Sequence, residues 1–395
     1  MTGTIKLKVL LPMVAVAMVC GSSAFAIDLL ELPAVQSKKA SEALLLDVGR
    51  RGDGAFVAVG ERGVIIVSED GGETWEQASV PASVALTGVY FPTSRSGWAV
   101  GHDGLILHSN DGGRSWEKQL DGHQLNEQIL AVAERIVEQH RAEVEELQAA
   151  EEVDEYALED AEFMLEEAEF MLEGAMDDVD AGPVRPLLDV WFRDENRGFA
   201  IGSYGMLLET TDGGQNWELV SDRIGSAQAF HLNQILSAPD GTLFIAGESG
   251  YVYRSSDGGE SWDILQPGYE GSFYGIVIVP DGSGQYELLA YGLRGNLFRS
   301  VDKGETWSEL DSGTTITLTT GMAMPDGTVV LAGQGGLIQT RPPGQQSFTI
   351  ARNPDRRVIS GIEQQADGHL LLVGLGGVRL AQPDGAPLET ATDTP

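Results

Sequence analysis

Gly198-Phe199-Ala200-Ile201-Gly202-Ser203-Tyr204-Gly205-Met206-Leu207-Leu208-Glu209-Thr210-Thr211-Asp212-Gly213-Gly214-Gln215-Asn216-Trp217 reads as two short strands joined by one tight turn and leaving through another. Aliphatic and aromatic residues fill both strands, and Gly and Asp bound them, which is the signature of a hairpin. Leu187 to Phe192 before the stretch and Trp217 to Val220 after it complete a unit of four strands. The first turn occurs seven times: Gly60-Glu61-Arg62-Gly63, Gly101-His102-Asp103-Gly104, Gly202-Ser203-Tyr204-Gly205, Gly247-Glu248-Ser249-Gly250, Gly292-Leu293-Arg294-Gly295, Gly333-Gln334-Gly335-Gly336 and Gly374-Leu375-Gly376-Gly377. Successive first glycines lie 41, 101, 45, 45, 41 and 41 residues apart. A period of about 40 to 45 residues is that of a four-stranded propeller blade, and the long step equals one blade plus about 60 inserted residues. The expected fold is all-β, a seven-bladed β-propeller with an inserted α-helical hairpin. The glycines of each turn are expected to supply the positive φ that a tight hairpin needs.

The exit turn repeats as Ser68, Asp70, Gly72, Thr74, Trp75; Ser109, Asp111, Gly113, Ser115, Trp116; Thr210, Asp212, Gly214, Asn216, Trp217; Ser255, Asp257, Gly259, Ser261, Trp262; and Ser300, Asp302, Gly304, Thr306, Trp307. These residues resemble the Asp-box (BNR) repeat of sialidase-type propellers. Their physical role is structural: Asp and Ser/Thr oxygens accept the turn's own N–H groups, and Trp buries a large ring. One carboxylate per blade is too dispersed to share a metal ion, so no metal is expected. The last two units keep the Gly-x-x-Gly turn and lose the Asp box; Thr340-Arg341-Pro342-Pro343-Gly344 is its remnant. The seventh unit lacks a fourth strand, and Leu29 to Val35 are placed to supply it and so close the ring.

Lys6 and Lys8, an apolar run from Val9 to Cys20, and Ala24-Phe25-Ala26 make residues 1–26 a secretory signal peptide. Cys20 is the sole cysteine and lies in that leader, so the exported chain has no disulfide, and the bulky Val19 disfavours lipid attachment at Cys20. The expected location is the periplasm. Net charge is −35, and residues 121–182 hold 21 Asp and Glu against Arg135 and Arg141. Such a surface repels phosphate backbones and anionic headgroups, so neither nucleic acid nor membrane insertion is expected.

Within the insertion, Leu125, Ile129, Val132, Ile136, Val137, Val144 and Leu147 recur at helical spacing, which predicts one amphipathic helix to about Ala150. A second follows with a duplicated heptad, in which Phe163 and Phe170, Met164 and Met171, and Leu165 and Leu172 recur. That recurrence predicts a coiled-coil-like hairpin. Three adjacent apolar residues per heptad span about 200°, more than one partner helix covers. The remainder packs on the propeller, on a second copy of the hairpin to give a homo-oligomer, or on a different protein.

Propeller topology puts the entry of the hairpin on the face ringed by the Gly-x-x-Gly turns. Glu61, Arg62, His102, Asp103, Ser203, Tyr204, Glu248, Ser249, Leu293, Arg294 and Gln334 are the variable residues there. With Phe163, Met164, Phe170 and Met171 they form the expected partner-binding set. Arg50, Arg51, Arg95, Arg193 and Arg197 belong to the opposite face and offer a second patch. No catalytic or cofactor-binding residues are identified. A sialidase needs convergent arginines, and Arg62, Arg254, Arg294 and Arg341 fall on no such motif; Tyr204, Tyr251 and Tyr253 lie near Glu248 without a diagnostic spacing. His102, His108, His123, His140, His231 and His369 show no zinc-ligand spacing.

The leader, the seven units, and segments such as Leu188-Asp189-Val190-Trp191-Phe192 with Gly198-Phe199-Ala200-Ile201-Gly202 resemble the photosystem II stability and assembly factor family over about residues 44 to 380, the hairpin excepted. The resemblance implies a non-enzymatic propeller that holds membrane-protein subunits during assembly. In its non-photosynthetic bacterial branch it implies association with RND-type (MMPL) exporters. The expected organisation is a signal peptide at 1–26, blades 1–2 with the closing strand at 27–120, the acidic hairpin at 121–186, blades 3–7 at 187–385 and a disordered tail at 386–395. The alternative is a sialidase-like glycoside hydrolase or a glycan- or lipid-binding propeller.

Overall fold

Seven antiparallel sheets follow one another along the chain, six of four strands and the last of three, each in simple consecutive order. The computed structural model describes residues 27–150, 152, 154–225 and 229–388; the expected leader and most of the expected tail lie outside these. The third blade comprises Leu187–Phe192, Gly198–Gly202, Leu207–Thr210 and Glu218–Leu219, from the channel outward. This is the seven-bladed propeller with an inserted helical hairpin that the turn spacing predicts. The core lies between blades. Trp98 of blade two stacks on Phe192 of blade three with ring centroids 3.5 Å apart, and Leu45, Val48 and Phe56 of blade one pack with Leu371 and Val373 of blade seven.

The Gly-x-x-Gly turns correct one expectation. The first glycine is extended, as Gly60 (φ −171°) and Gly101 (φ −172°) show, so positive φ is not its role. A Cβ on Gly60 would overlap the carbonyl of Leu44, and one on Gly101 that of Ala85. The glycine lets the turn approach the backbone just before the inner strand. There the next amide donates: Glu61 to Leu44, His102 to Ala85, Ser203 to Pro186, Glu248 to His231, Leu293 to Ser272, Gln334 to Thr317 and Leu375 to Val358. Positive φ falls on the residue after it, Arg62, Asp103, Tyr204, Ser249 and Arg294 at 53–57°, and on the closing glycine. A side chain in that left-handed conformation costs about 1 kcal/mol or more.

The ring closes differently from the sequence expectation. Leu29 to Val35 do not complete blade seven. They cover the connection from blade one to blade two, where Ala34 donates to Val80 at 3.0 Å, Ser83 donates to Leu29 at 2.8 Å, and Leu30 is buried against Val80 and Val84. The reason is local: the outer strand of blade one is only Glu76–Gln77, which leaves Val80 and Ala82 to be covered by other chain. Blade seven stays three-stranded, and Pro387 returns to bridge Ala381, so the start of the expected disordered tail is ordered. Closure uses residues 40–45 instead. Val378 donates to Ser41 at 3.0 Å, and the Ser360 hydroxyl donates to the Leu45 carbonyl at 2.7 Å.

Two helices, α1 (Gly122–Ala149) and α2 (Glu155–Ala181), form the antiparallel insertion. Asp121 and Gln124 make a capping box at the start of α1, Asp154 caps α2, and Gly182 at φ +88° ends it. The buried heptad of α2 is Ala161, Ala168 and Ala175, facing Ala133, Val137 and Val144 of α1. Small side chains there let the helices pack closely, and the bulkier Phe and Met rows turn outward. The packing row is therefore the Ala row flanked by the half-buried Leu165 and Leu172, and the Phe and Met rows of the recurrence lie outside it.

Candidate partner-binding surface

The repeated turn sorts its variable residues into two kinds. The first of the pair is anchored by its amide to the blade backbone, and Glu61 and Glu248 add a side-chain bond, accepting from the Leu44 amide at 3.3 Å and the His231 amide at 2.9 Å. Ser203, at the same position, is 1% exposed and so does not belong to the surface ring. Of the second residues Arg62, Tyr204 and Arg294 are exposed, and of the anchored first residues His102 and Gln334 are exposed as well. Asp103 is partly covered, and burial pushes its carboxyl above the ordinary range. These side chains stand one or two to a turn around this face, and none of them lines the channel recess.

The hairpin is rooted beside this ring. Gly122 sits so close to Gly104 and to the Asp103 carbonyl that a Cβ there would overlap the latter, and the His123 ring lies 2.9 Å from an Asp28 oxygen. Asn126 Nδ2 donates to the Asp178 carbonyl at 2.8 Å, tying the two helix roots together, and Arg185 grips the Asp178 carboxylate. Leu125 is buried and Ile129 packs with Trp217 and Leu219, while Gln128 donates to the Trp217 carbonyl at 3.1 Å. The first two turns of α1 thus run along the outer edge of blade three. The arm leaves from the rim of the propeller. Arg141 meets Glu169 at 2.9 Å farther out.

Along α2 the expected contact residues Phe163, Met164, Phe170 and Met171 are all exposed, together with Tyr156, Met176 and Val179. Where the hairpin returns, Arg185 stands 5.0 Å over the Tyr204 ring, Tyr204 meets the His231 ring at 5.2 Å, and Phe230 stacks on Tyr251 at 5.2 Å. Of this aromatic rim of blades three and four, the sequence-based set holds Tyr204 and leaves out Arg185, Phe230, His231 and Tyr251. Its signal was Phe230-His231 directly before an inner strand, where the other blades carry Leu44, Ala85, Pro186, Ser272, Thr317 and Val358.

The channel mouth is a recess of about 340 Å³ lined by inner-strand residues including Leu46, Asp47, Leu188, Asp189, Gln234 and Tyr274. A register shift at the start of every inner strand places them there. Asp47 accepts from the Val89 amide and Asp189 from the Ile235 amide, each at 2.9 Å, so both acids bridge to the next blade. Burial pushes both carboxyls up. Asp189, which also faces the charge of Asp47, is pushed up to about 8. The mouth is a polar pocket in which burial disfavours the charged form of both acids.

On the opposite face, the Asp boxes act on their own turns. Asp257 Oδ1 accepts from the Ser255 hydroxyl and from the Glu260 and Ser261 amides, and Oδ2 accepts from the Ser261 hydroxyl at 2.6 Å. Asp70, Asp111, Asp212 and Asp302 repeat this with Thr74, Ser115, Asn216 and Thr306. Trp116, Trp217 and Trp262 are buried, while Trp75 and Trp307 are partly so. Among the described residues no three His, Cys, Asp or Glu side chains are grouped to hold a metal. Three of the five arginines expected on this face are engaged: Arg51 with Asp53, Glu69 and the Gly112 carbonyl, Arg95 with the Asn110 carbonyl, Arg197 with Glu209 and Glu260. Arg254 pairs with Asp263 and Glu305 and Arg341 with Glu287, far from the turns that carry Arg62 and Arg294. The four arginines weighed for a sialidase site do not converge.

A family profile described as photosynthesis system II assembly factor YCF48 matches residues 33–148 and 174–389. Among solved structures, the chain is similar to YCF48 bound to D1 peptide, at 17% identity over 88% of this chain and 98% of that one, with a TM-score of 0.57. It is similar to YCF48 from Cyanidioschyzon merolae at 18% identity over 86% and 95%, with a TM-score of 0.54. The WD40 beta propeller domain of Doa1 aligns at 11% identity over 89% and 95%, with a TM-score of 0.57. At these identities the likeness shows the fold. No curated protein matches the chain.

Proposed function

The chain belongs to the family of the photosystem II assembly factor YCF48, and from that membership we propose that it is a non-enzymatic propeller that binds and assists a membrane-protein complex. The observation that carries the reading is the unpartnered apolar face of α2, with Phe163, Met164, Phe170 and Met171 exposed on an arm rooted beside the turn ring. Exposed aromatic and Met side chains in one strip are the usual composition of an interface core. A relative of this fold, YCF48, is bound to a D1 peptide in its solved structure, which supports a peptide or protein client. The dispersal of Arg62, Arg254, Arg294 and Arg341, two of them on turns and two paired with carboxylates elsewhere, supports the non-enzymatic reading.

The finer reading places the protein in the periplasm, exported by residues 1–26, with an RND-type (MMPL) exporter as client. Among the described residues no helix is long and apolar enough to cross a membrane. Contact would use the exposed turn residues Arg62, Tyr204 and Arg294, the aromatic rim, and the hairpin. The test is recovery of membrane proteins from detergent-solubilised membranes by the full chain and by a variant in which residues 121–182 are replaced by a short linker. The close approach of Gly122 to Pro183 makes that excision feasible without opening the ring. Loss of one defined complex from the variant supports the reading; equal recovery by both removes the hairpin from it.

A further inference from the structure

We propose that the outer face of α2 is a docking strip for a basic amphipathic helix of the partner. The inference rests on the assembly reading above and names the chemistry the arm recognises. Tyr156, Phe163 and Phe170 are spaced seven residues apart and are 83%, 60% and 73% exposed. At about 100° per residue they lie roughly opposite Ala161 and Ala168, the row that packs on α1, and they span about 21 Å of helix. Glu159 and Glu166 run about 50° to one side and Asp160 and Glu167 about 50° to the other. All four are exposed, and among the described residues no cation pairs with them. The helix from 155 to 181 holds no Lys, Arg or His.

An aromatic spine between two carboxylate rows has a complement. A helix with apolar residues at heptad spacing and Lys or Arg on both flanks meets the rings and the carboxylates at once. A second copy of α2 would instead set carboxylate rows against carboxylate rows, and an anionic lipid surface would be repelled for the same reason. The match to the family profile leaves out residues 149–173, which hold most of the strip, so this feature is additional to the matched propeller.

The test uses the full chain and two labelled peptides of about 21 residues with Leu at heptad positions, one flanked by Lys and the other by Glu, read by fluorescence anisotropy. The cationic peptide is expected to bind the native chain and to weaken with salt, and the anionic one is expected not to bind. F163S/F170S, which changes exposed residues and no charge, is expected to weaken the cationic peptide about tenfold or more while leaving the melting temperature unchanged. Equal binding by the native chain and F163S/F170S would assign the attraction to bulk charge and overturn the proposal. So would equal binding of both peptides, or a concentration-dependent dimer of the native chain that F163S/F170S abolishes. The assembly role is scored separately: F163S/F170S that still recovers its membrane complex overturns the strip and leaves that role standing.

Discussion

Ser360 in the last blade donates its hydroxyl to the carbonyl of Leu45 in the first, at 2.7 Å. Thr87 makes the same contact to Leu187, Asn233 to Phe273 and Thr319 to Ile359, always from the residue at the register shift to the first inner-strand residue of the next blade. The closing junction is therefore built like three of the six internal ones, those between blades two and three, four and five, and six and seven. A terminal strand is not needed to hold it.

Ser360→Ala is expected to cost about 1 kcal/mol, the net worth of one such hydrogen bond, and to lower the calorimetric midpoint by about 2 °C for a chain of this size. Gly377→Val should cost several times more. Gly377 has φ +84°, and a Cβ there would overlap the Ser41 carbonyl at the same junction. If Gly377→Val melts with the native chain, residues 40–45 do not close the ring.

Glu287 of blade five pairs with Arg341 of blade six, the blade that has lost its Asp box. It accepts from Arg341 at 2.6 and 3.1 Å and from Arg299, and Arg341 is almost fully buried. Burial works against the charge, but the two guanidiniums outweigh it and hold the carboxyl below its ordinary range. Glu287→Gln is expected to destabilise by about 2–4 kcal/mol at neutral pH, because it leaves the Arg341 charge without its partner. Since the folded-state pKa is lowered, the stabilisation is present above the ordinary carboxylate range and lost as pH falls through the folded value. The gap between native and variant midpoints should therefore close in acid.

The fold was legible because its turns write local demands into the chain. Asp257 with Ser255 and Ser261 satisfies a turn from within eight residues, and a closing glycine at positive φ is required wherever it stands. What was not legible depends on distant partners. The first glycine of each turn is set by a carbonyl about 16 residues away in sequence, as Gly60 is by Leu44, and spacing alone does not separate that steric need from a dihedral one. Leu29 to Val35 carry an edge-strand pattern that fits any uncovered edge, and the edge they cover belongs to blade one. On α2 the Ala161 and Phe163 rows share one period, so the sequence gives the repeat but not which row faces α1. Ser203 is buried although His102 and Gln334, anchored at the same turn position, are exposed, so its burial is set by its neighbours and not by its place in the turn.

Asp257→Ala is expected to cost about 1–2 kcal/mol, lowering the midpoint by roughly 2–4 °C, because it removes the acceptor for Ser255, Glu260 and Ser261 together. The Ser261 hydroxyl and amide and the Ser255 hydroxyl hold this carboxyl well below its ordinary range. Its contribution is thus present at pH 5 as at pH 7 and fades only in strong acid. Asp257→Asn, which keeps one acceptor, should recover part of the loss. An unchanged midpoint for the alanine variant would show that water satisfies the turn unaided.

Two inner-strand acids, Asp189 of blade three and Glu363 of blade seven, titrate in the opposite sense. Asp189 is pushed up to about 8 by burial and by the charge of Asp47, and Glu363 up to about 7 by burial. A carboxyl whose folded pKa is raised binds its proton more tightly in the folded chain. Its contribution is therefore fully present below the ordinary carboxylate value, near 4, and is lost as pH rises through the folded value, near 8. Asp189→Asn fixes the neutral state. The variant's midpoint, measured relative to the native one, should climb steadily between about pH 4 and 8 and level off above, whatever constant offset arises from the altered bonds to Ile235 and Val190. A difference independent of pH over that range would mean that Asp189 is ionised in the folded channel throughout, with solvent or a bound cation offsetting the charge that Asp47 opposes.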